Sequence, residues 1–441
     1  MITYSIIKKS QLEGALRMDA EYYQPEFLKL RNIIEKNSLS FEDIIVEFGS
    51  GKNLNQTANN NYIKFIRTQN VRPIIIDENG LSFTDVKNHP KLDYGDLLFV
   101  RVGEGVGNSS VVTKNFQNST FSDNVIRIKI KGINPFYVSV LLNSEVGYLL
   151  MEQIEKGSAR PLISRENLNA LKVPKISNNE QIYFEKIINQ SENFIENSKL
   201  FYSQAENLLL EELGLKDFKN EENLFSIVNL SEVKKAYRID AEYFQLKYEK
   251  LISKIKNYKN GFDSFDNLIE ISNMKIEVNP EKEYKYIELA DVNENLGIVD
   301  DIQIIKGKDL PSRAKMKLQK NDVIVSSVEG STNKVALINK DIKDLVGSTG
   351  FFILREKYFQ PEVNLILIKS IIIKALLKRE AQGTILTAIP SSSLKRIILP
   401  KLNSDIQQKI ADLVRKSHQA RKKAKELLEE AKQKVEKLIE Q

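Results

Sequence analysis

The chain has no cysteine and only two histidines among its 441 residues. Without cysteine there is no structural disulfide and no thiolate zinc site, and so few histidines leave little for a His-rich metal centre. Much of hydrolytic and redox enzymology is set aside, and no metal ligand is assigned. Long apolar runs are also missing. Met1–Gly14 holds two lysines and a glutamate but no unbroken hydrophobic stretch of signal-peptide length, and the most apolar segment, Leu365–Leu377, is cut by Lys369 and Lys374. A soluble cytoplasmic protein with no membrane partner is expected. Nor does one sign of charge dominate: the formal net charge is +6, so an anionic partner has to show itself as local clustering. What remains, 41% hydrophobic and 28% charged residues, is enough for two or three cores and too apolar for disorder.

The chain repeats itself. RMDAEYYQPEF (Arg17–Phe27) returns as RIDAEYFQLKY (Arg238–Tyr248), 221 residues later. KFIRTQNV (Lys64–Val71) lies over KYIELADV (Lys285–Val292) at the same offset, which reads as one register held for more than fifty residues. Further on the offset is 226: GDLLFV (Gly95–Val100) over NDVIVS (Asn321–Ser326), Pro135 over Pro361, Gly157 over Gly383, LKVPKI (Leu171–Ile176) over IILPKL (Ile397–Leu402). Two copies of one domain account for this, with a net five-residue insertion expected in a loop of the second.

Each copy reads as mixed α/β (α+β). DLLFVRV, NVIRIKI, DVIVSSV and GFFILRE have the texture of strands, and a helix is expected from each of Pro135 and Pro361, since proline suits a first helical turn. Two long helices follow, 178–215 and 404–441, which are free of proline and contain glycine only at Gly214. The predicted organisation is a first globular domain over 1–177, a helix over 178–215, a linker over 216–230, a second domain over 231–403 and a helix over 404–441.

The helices carry apolar seams. In the first, Ile187, Phe194, Phe201 and Leu208 recur every seven residues, with Ile188, Ile195, Tyr202 and Leu209 beside them. In the second, Ile406, Ile410, Leu413, Ser417, Ala420, Ala424, Leu427, Ala431 and Leu438 follow alternating steps of three and four with one slip at Lys434–Val435. Its small residues allow a partner helix to come close, and the large residues of the first helix are expected to fill the space over its alanines. An antiparallel coiled coil holding two domains apart, a caliper, is the expected arrangement. The alternative is a duplicated scaffold whose helices only dimerise.

Taken in order, ALRMDAEYYQPEF, GDLLFVRVGEGVG, GSARPLIS…LKVPKISNNEQ and their second-half partners resemble the specificity subunit of type I restriction–modification systems. The likeness covers nearly the whole chain. It departs from the family's usual double proline before the helix, since Lys175 and Lys401 follow single prolines. The resemblance implies two target-recognition domains, each reading one half of a split site in double-stranded DNA, and helices that set the spacing and dock two methyltransferase subunits. Restriction (translocase) subunits would complete the assembly. S-adenosylmethionine, Mg2+ and ATP would sit on those partners, with no cofactor here.

Divergence between the copies marks candidate base readers. VRVGEGVGNSS offers Arg101, Glu104, Asn108 and Ser109, while SSVEGSTNK offers Ser326, Ser327, Glu329, Ser331, Thr332, Asn333 and Lys334. Arginine can bond guanine twice, asparagine adenine, and glutamate can accept from cytosine, so these sets would select different bases. Likewise Arg67, Gln69 and Asn70 stand against Glu288 and Asp291, and Thr387 is placed on the same surface. Phosphate contacts, which position without specifying, are assigned to Arg160 and Arg165 and to Lys306, Lys308, Arg313, Lys315 and Lys317. Arg415–Lys425, with six Lys or Arg and no acid, is either a solvated face or a contact for an acidic partner.

Enzyme motifs are present only in damaged form. NPFY (Asn134–Tyr137) is one residue from an amino-methyltransferase motif, and FGSG (Phe48–Gly51) looks like a cofactor glycine loop. The repeat keeps only the proline, because Asn134–Tyr137 lies over Gln360–Val363. GSGK (Gly49–Lys52) lacks the first glycine of a P-loop, and EYK (Glu283–Lys285) is too short a match to mark a nuclease. A non-catalytic DNA-binding subunit is expected.

Overall fold

The structure is a computed structural model that describes residues 5–9, 20–34, 37–102, 105–155, 165–169, 171–216, 225–299, 302–383 and 387–440. The chain divides into two compact units, residues 1–195 with 422–441, and residues 196–421. Among the described residues no helix is long and apolar enough to cross a membrane.

In the first unit a five-stranded sheet runs in the order Ile45–Ser50, Val125–Ile130, Leu97–Val100, Ser109–Val111, Ile74–Ile75, beside a three-stranded sheet of Ser82–Thr84, Ile63–Ile66 and Thr120–Phe121. The second unit repeats this with Glu270–Ser272, Phe351–Arg355, Val323–Ser326 and Val335–Leu337 in one sheet. Its other sheet is Gln303–Lys306, Glu283–Ile287, Leu345–Ser348 and Ala314–Lys317. The last of these strands has no counterpart in the first unit. The net five-residue insertion falls in the stretch after Lys306 that contains this strand, where a loop was expected. Alternation explains why: Ala314 and Met316 are buried while Lys315 and Lys317 are exposed.

The register between copies is also less constant than the motifs imply. Ser38–Ser40 pairs with Lys172–Pro174 as Phe262–Ser264 pairs with Ile398–Pro400, so the copies are offset by 224 here rather than 221. Three residues enter after the helix Leu246–Lys256 and are lost again before Glu283. In both units the strand of GDLLFV or NDVIVS starts from a left-handed residue, Gly95 (φ +87°) or Asn321 (φ +73°), two residue types that tolerate that backbone. The next residue, Asp96 or Asp322, is buried and accepts the N–H of Asp93 or Gln319.

Each Pro-led segment forms two helices, not one: Pro135–Leu142 then Glu145–Glu155, and Pro361–Lys369 then Ile371–Glu380. The break falls on Ser144 and Ser370. Each hydroxyl donates back to a carbonyl three residues before, of Leu141 or Leu367 at 2.6 Å, and accepts the N–H of Gly147 or Ile373 ahead. Serine's competition with the backbone ends one helix and caps the next.

The long helices run Asn178–Glu212 and Ser404–Glu440. They pair antiparallel within each unit. In the first, the Tyr183 hydroxyl donates to Glu430 and the Ser191 hydroxyl to the carbonyl of Ala424 at 3.0 Å. In the second, the Ser417 hydroxyl donates to the carbonyl of Ser198 at 2.7 Å. A serine side chain reaching the facing backbone means that the helices touch through small residues. Ser191, Ser198 and Ala205 on one and Ser417, Ala424 and Ala431 on the other are all buried. Small therefore meets small, contrary to the expected large-over-alanine fit. The seven-residue series Phe194, Phe201 and Leu208 flanks the seam half-buried, while Ile188, Tyr202 and Leu209 lie in it. On the second helix Ile410 and Ala420 are buried, Ile406, Leu413 and Leu427 partly so, and after the slip Val435 and Ile439 are buried in preference to Leu438.

One glutamine fastens each domain to the helix that follows it. The Gln181 side chain accepts the N–H of Asn134 at 2.7 Å and donates to the carbonyl of Ile176 at 3.2 Å. Gln407 does the same for Gln360 (3.3 Å) and Leu402 (3.0 Å). We expect Gln181→Ala or Gln407→Ala to cost about 1–3 kcal/mol each, because a backbone donor and an acceptor lose their partner in a partly buried joint. Denaturant unfolding measures this, with Glu in place of Gln as the variant that keeps the acceptor and loses the donor.

Candidate nucleic-acid interface

In the first unit Arg101 leaves its strand exposed, with its N–H on the carbonyl of Asn124. The loop it opens closes through the Val100 N–H donating to the carbonyl of Asn108 at 3.0 Å, and turns on Gly105 (φ +80°) and Gly107 (φ +88°). Asn108 is half-buried and Glu104 lies outside the described residues. Arg67 and Gln69 both donate to the carbonyl of Gly80 at 2.9 Å, so these two side chains share one anchor at the surface. Arg165 is exposed, with its guanidinium 5.9 Å from the centre of the Phe48 ring, while Arg160 and Gly157 lie outside the described residues.

Two expected readers face inward. Asn70 is 0% exposed, accepts the N–H of Arg67 and donates to the carbonyls of Asp77 and Asn79. Ser109 is buried, and its hydroxyl and carbonyl both receive the Asn143 amide. These residues shape their loops and cannot reach a base.

The second unit has a more heavily tied loop. Ser326 is fully buried, its hydroxyl shared with Ser331 and bonded by the N–H of Val328. Ser327 donates to the carbonyl of Gly350, Thr332 to that of Glu329, and Lys334 to that of Val292. Asn333 bonds Glu294, an acid that divergence between the quoted motifs did not bring into view. Ser326 thus faces inward, and the Ser331 hydroxyl and Lys334 ammonium are engaged within the unit. Glu329 stays half-buried at the lip, where its N–H bonds the carbonyl of Thr387 at 3.0 Å. The position of Arg67 is taken by Glu288, which is half-buried and pairs with Arg313 at 2.9 Å. Asp291, like Asn70, accepts a backbone N–H, that of Glu288.

Cations gather on and just before the strand Ala314–Lys317. Arg313 is 61% exposed in its side chain, and Lys306, Lys308, Lys315 and Lys317 are exposed too. Lysine often protects a sheet edge from unwanted pairing, but this edge is already bonded: Ile276 N–H donates to the carbonyl of Lys315 and Lys317 N–H to that of Met274, both at 2.9 Å. Of the basic run on the second long helix, Arg415 is held by Glu362 at 2.7 Å and Lys423 lies 5.7 Å over the Phe194 ring.

The repeated RIDAEYF motif has a defined task. Arg238 grips both oxygens of Asp240 and donates to the carbonyls of Arg379 (3.2 Å) and Ala381 (3.0 Å). The Tyr243 ring centre lies 4.6 Å from the Arg238 guanidinium and 3.9 Å from that of Arg379. Burial opposes the charge of Glu242, but the Tyr248 hydroxyl and the ammonium groups of Lys247 and Lys378 outweigh it and hold the carboxyl below its usual range. The motif therefore clamps the start of the domain to the end of the helix Ile371–Glu380. From there Gln382 pairs with Ala388, and Thr387 with Glu329, so the clamp braces the lip of the loop. In the first copy Arg17–Asp19 lie outside the described residues.

The methyltransferase-like fragments have structural explanations. Asn134 caps its helix by accepting the N–H of Phe136 and donates to Glu185 at 2.7 Å. Phe48–Ser50 lie in a strand paired with Val125–Ile130, and a Cβ at Gly51 would stand 2.0 Å from the Phe121 carbonyl oxygen. Gly51 thus serves close backbone approach and Gly49 is an ordinary strand residue, rather than parts of a phosphate cradle.

No family model matches the sequence, and no curated protein matches it. Among solved structures it is similar to the S subunit of a type I restriction-modification system from M. genitalium, at 14% identity over 91% of this chain and 94% of that one, with a TM-score of 0.43. The HsdS subunit from Thermoanaerobacter tengcongensis matches at 11% identity over 91% and 96%, TM-score 0.27. A chain from a structure on complex assembly and conformational transition of the type I R-M system matches at 11% identity over 92% and 96%, TM-score 0.29. Scores this low do not carry a function across.

The clamp generates a prediction. Arg238→Ala strands two carbonyls and should cost about 1–3 kcal/mol, with faster amide exchange at Gln382 and Ile389 as the local sign. The Arg238 fork holds the Asp240 carboxyl below its ordinary value of 3.8, so the stabilisation is complete above that value and is lost as pH falls through the lower folded one. Asp240→Asn should flatten that acid limb.

Proposed function

We propose that the chain is the DNA-specificity subunit of a type I restriction–modification complex and contains no catalytic centre of its own. The observation that carries this is the contrast at matched places on one scaffold. Where the first copy presents Arg67 on the carbonyl of Gly80, the second presents Glu288 paired with Arg313, which immediately precedes a strand the first copy lacks. A scaffold that only spaces or dimerises has no need for its two copies to diverge at the surface while keeping the joints beneath.

In this reading Arg101, Gln69 and Asn108 in the first unit, and Glu329 and Asn333 in the second, meet base edges in the major groove. Arginine favours guanine, and Gln or Asn favours adenine. Lys306, Lys308, Lys315 and Lys317 take phosphates and supply affinity without sequence. Two different half-sites give a bipartite, asymmetric target. Methyl transfer and strand cleavage, with S-adenosylmethionine, Mg2+ and ATP, belong to partner subunits that dock on the chain.

Duplex binding measured against salt tests the phosphate assignment. Replacing both Lys315 and Lys317 by Ala should lower the slope of log affinity against log salt by about 2, since each phosphate contact contributes about 0.9, and should leave base preference unchanged. An unchanged slope removes this strand from the interface. The purified chain with S-adenosylmethionine and duplex DNA should transfer no methyl group. Transfer abolished by Asn134→Ala would overturn the non-catalytic reading.

A further inference from the structure

Tyr237 is out of place by two criteria. Its side chain is 95% exposed, and its backbone is left-handed (φ +52°, ψ +32°) where it ends the helix Leu230–Ala236. That position is one glycine takes without strain, and a bulky residue held there costs stability. Ile239, two residues on, is 89% exposed. An aromatic and an aliphatic side chain thus project into solvent from a turn that packing alone would fill with glycine.

The turn is held rigidly. Arg238, between the two, spends its guanidinium on Asp240 and on the carbonyls of Arg379 and Ala381. The chain leaving Ala381 pairs Gln382 with Ala388, and Ile389 N–H donates to the carbonyl of Ser327 at 2.8 Å. The residue that follows Tyr237 is therefore tied to the segment that bonds the Ser326–Lys334 loop through Thr387 and Ile389. Lys234 and Lys235 are exposed in the preceding turn. An exposed ring that follows two exposed lysines in sequence, next to an arginine tied to the frame of a reading loop, has the makings of a stacking contact with nucleic acid: cations for phosphates, a π-face for a base.

We infer that Tyr237 is a DNA-contact residue of the second unit, whose ring stacks on a base or wedges at a base step of duplex DNA, with Lys234 and Lys235 on the adjoining phosphates. The inference rests on the DNA reading proposed above and adds a contact that reads no donor–acceptor pattern. Stacking is tolerant of sequence, so its loss lowers affinity for all duplexes alike. Because it involves no phosphate, its loss leaves the salt slope unchanged.

The test uses the full chain and a pool of short random-sequence duplexes. Tyr237→Gly relieves the backbone and should hold or raise the thermal midpoint while weakening duplex binding by about fivefold or more at an unaltered salt slope. Lys234→Ala with Lys235→Ala should lower the slope instead. The chain has no tryptophan, so Tyr237→Trp introduces a single indole whose fluorescence should be quenched as duplex is added. Wild-type affinity in a folded Gly variant, or an indole unaffected in a Trp variant that still binds, would overturn the stacking role while leaving DNA binding intact. Failure of the wild-type chain to bind any duplex would overturn the DNA reading itself, and this contact with it.

Discussion

Each globular core is completed by a helix segment from elsewhere in the chain, and this constraint governs the rest. The first unit closes its core with Ala431, Val435 and Ile439, and the Glu145 N–H is met by Glu436, 291 residues away. The second buries Tyr202, Ala205, Leu209 and Leu213 of the first long helix with Ile410 and Val414 of its own. Neither core is finished until both long helices are in place. Contacts so distant in sequence cost loop-closure entropy before they return anything, which makes for slow and cooperative folding. The serines and alanines of the seam make the closure possible, because only small residues let a hydroxyl reach the opposite backbone.

On that frame the two copies keep their joints and vary their surfaces. Gln181 and Gln407, Asp96 and Asp322, Ser144 and Ser370 make the same bonds twice. Other matched positions are put to different uses. Asn143 bonds Ser109, whereas its counterpart Lys369 is buried, donates to the carbonyls of Glu294 and Asn295 and lies 4.5 Å over Tyr202. Burial lowers that ammonium to about 8, so a charge in one copy takes the place of a neutral amide in the other. A conserved frame with altered loops suits a molecule whose two halves do one kind of work on two different targets.

Much of the fold was legible in the sequence, because Pro-led helices, strand texture and two proline-free rods are local signals. The breaks at Ser144 and Ser370 were not, since a serine inside an apolar helix betrays its back-bonding only once the helix exists. The strand Ala314–Lys317 was hidden because four alternating residues are a weak pattern and its partners lie elsewhere in the chain. The candidate site was legible as loops, less so residue by residue. Asn70, Ser109 and Ser326 have the chemistry to read bases, but short polar side chains also satisfy groups inside the protein: Asn70 and Ser326 bond backbone near their own turns and Ser109 takes the Asn143 amide. Arg101 and the lysines of the strand Ala314–Lys317 remain at the surface because long charged side chains are costly to bury. The RIDAEYF clamp was visible as a repeat, but its carbonyl targets, Arg379 and Ala381, lie some 140 positions away.

The central claim is that two diverged copies read two half-sites, and selection of bound duplexes from a fully random library by the whole chain, followed by sequencing, tests it most directly. The account predicts two short specified blocks separated by an unspecified stretch. Selection with Arg101→Ala should relax a position in one block and leave the other as it was, at a cost of about 1–3 kcal/mol on the affected sequences. One uninterrupted block, no sequence preference, or relaxation of both blocks by this single substitution would contradict it.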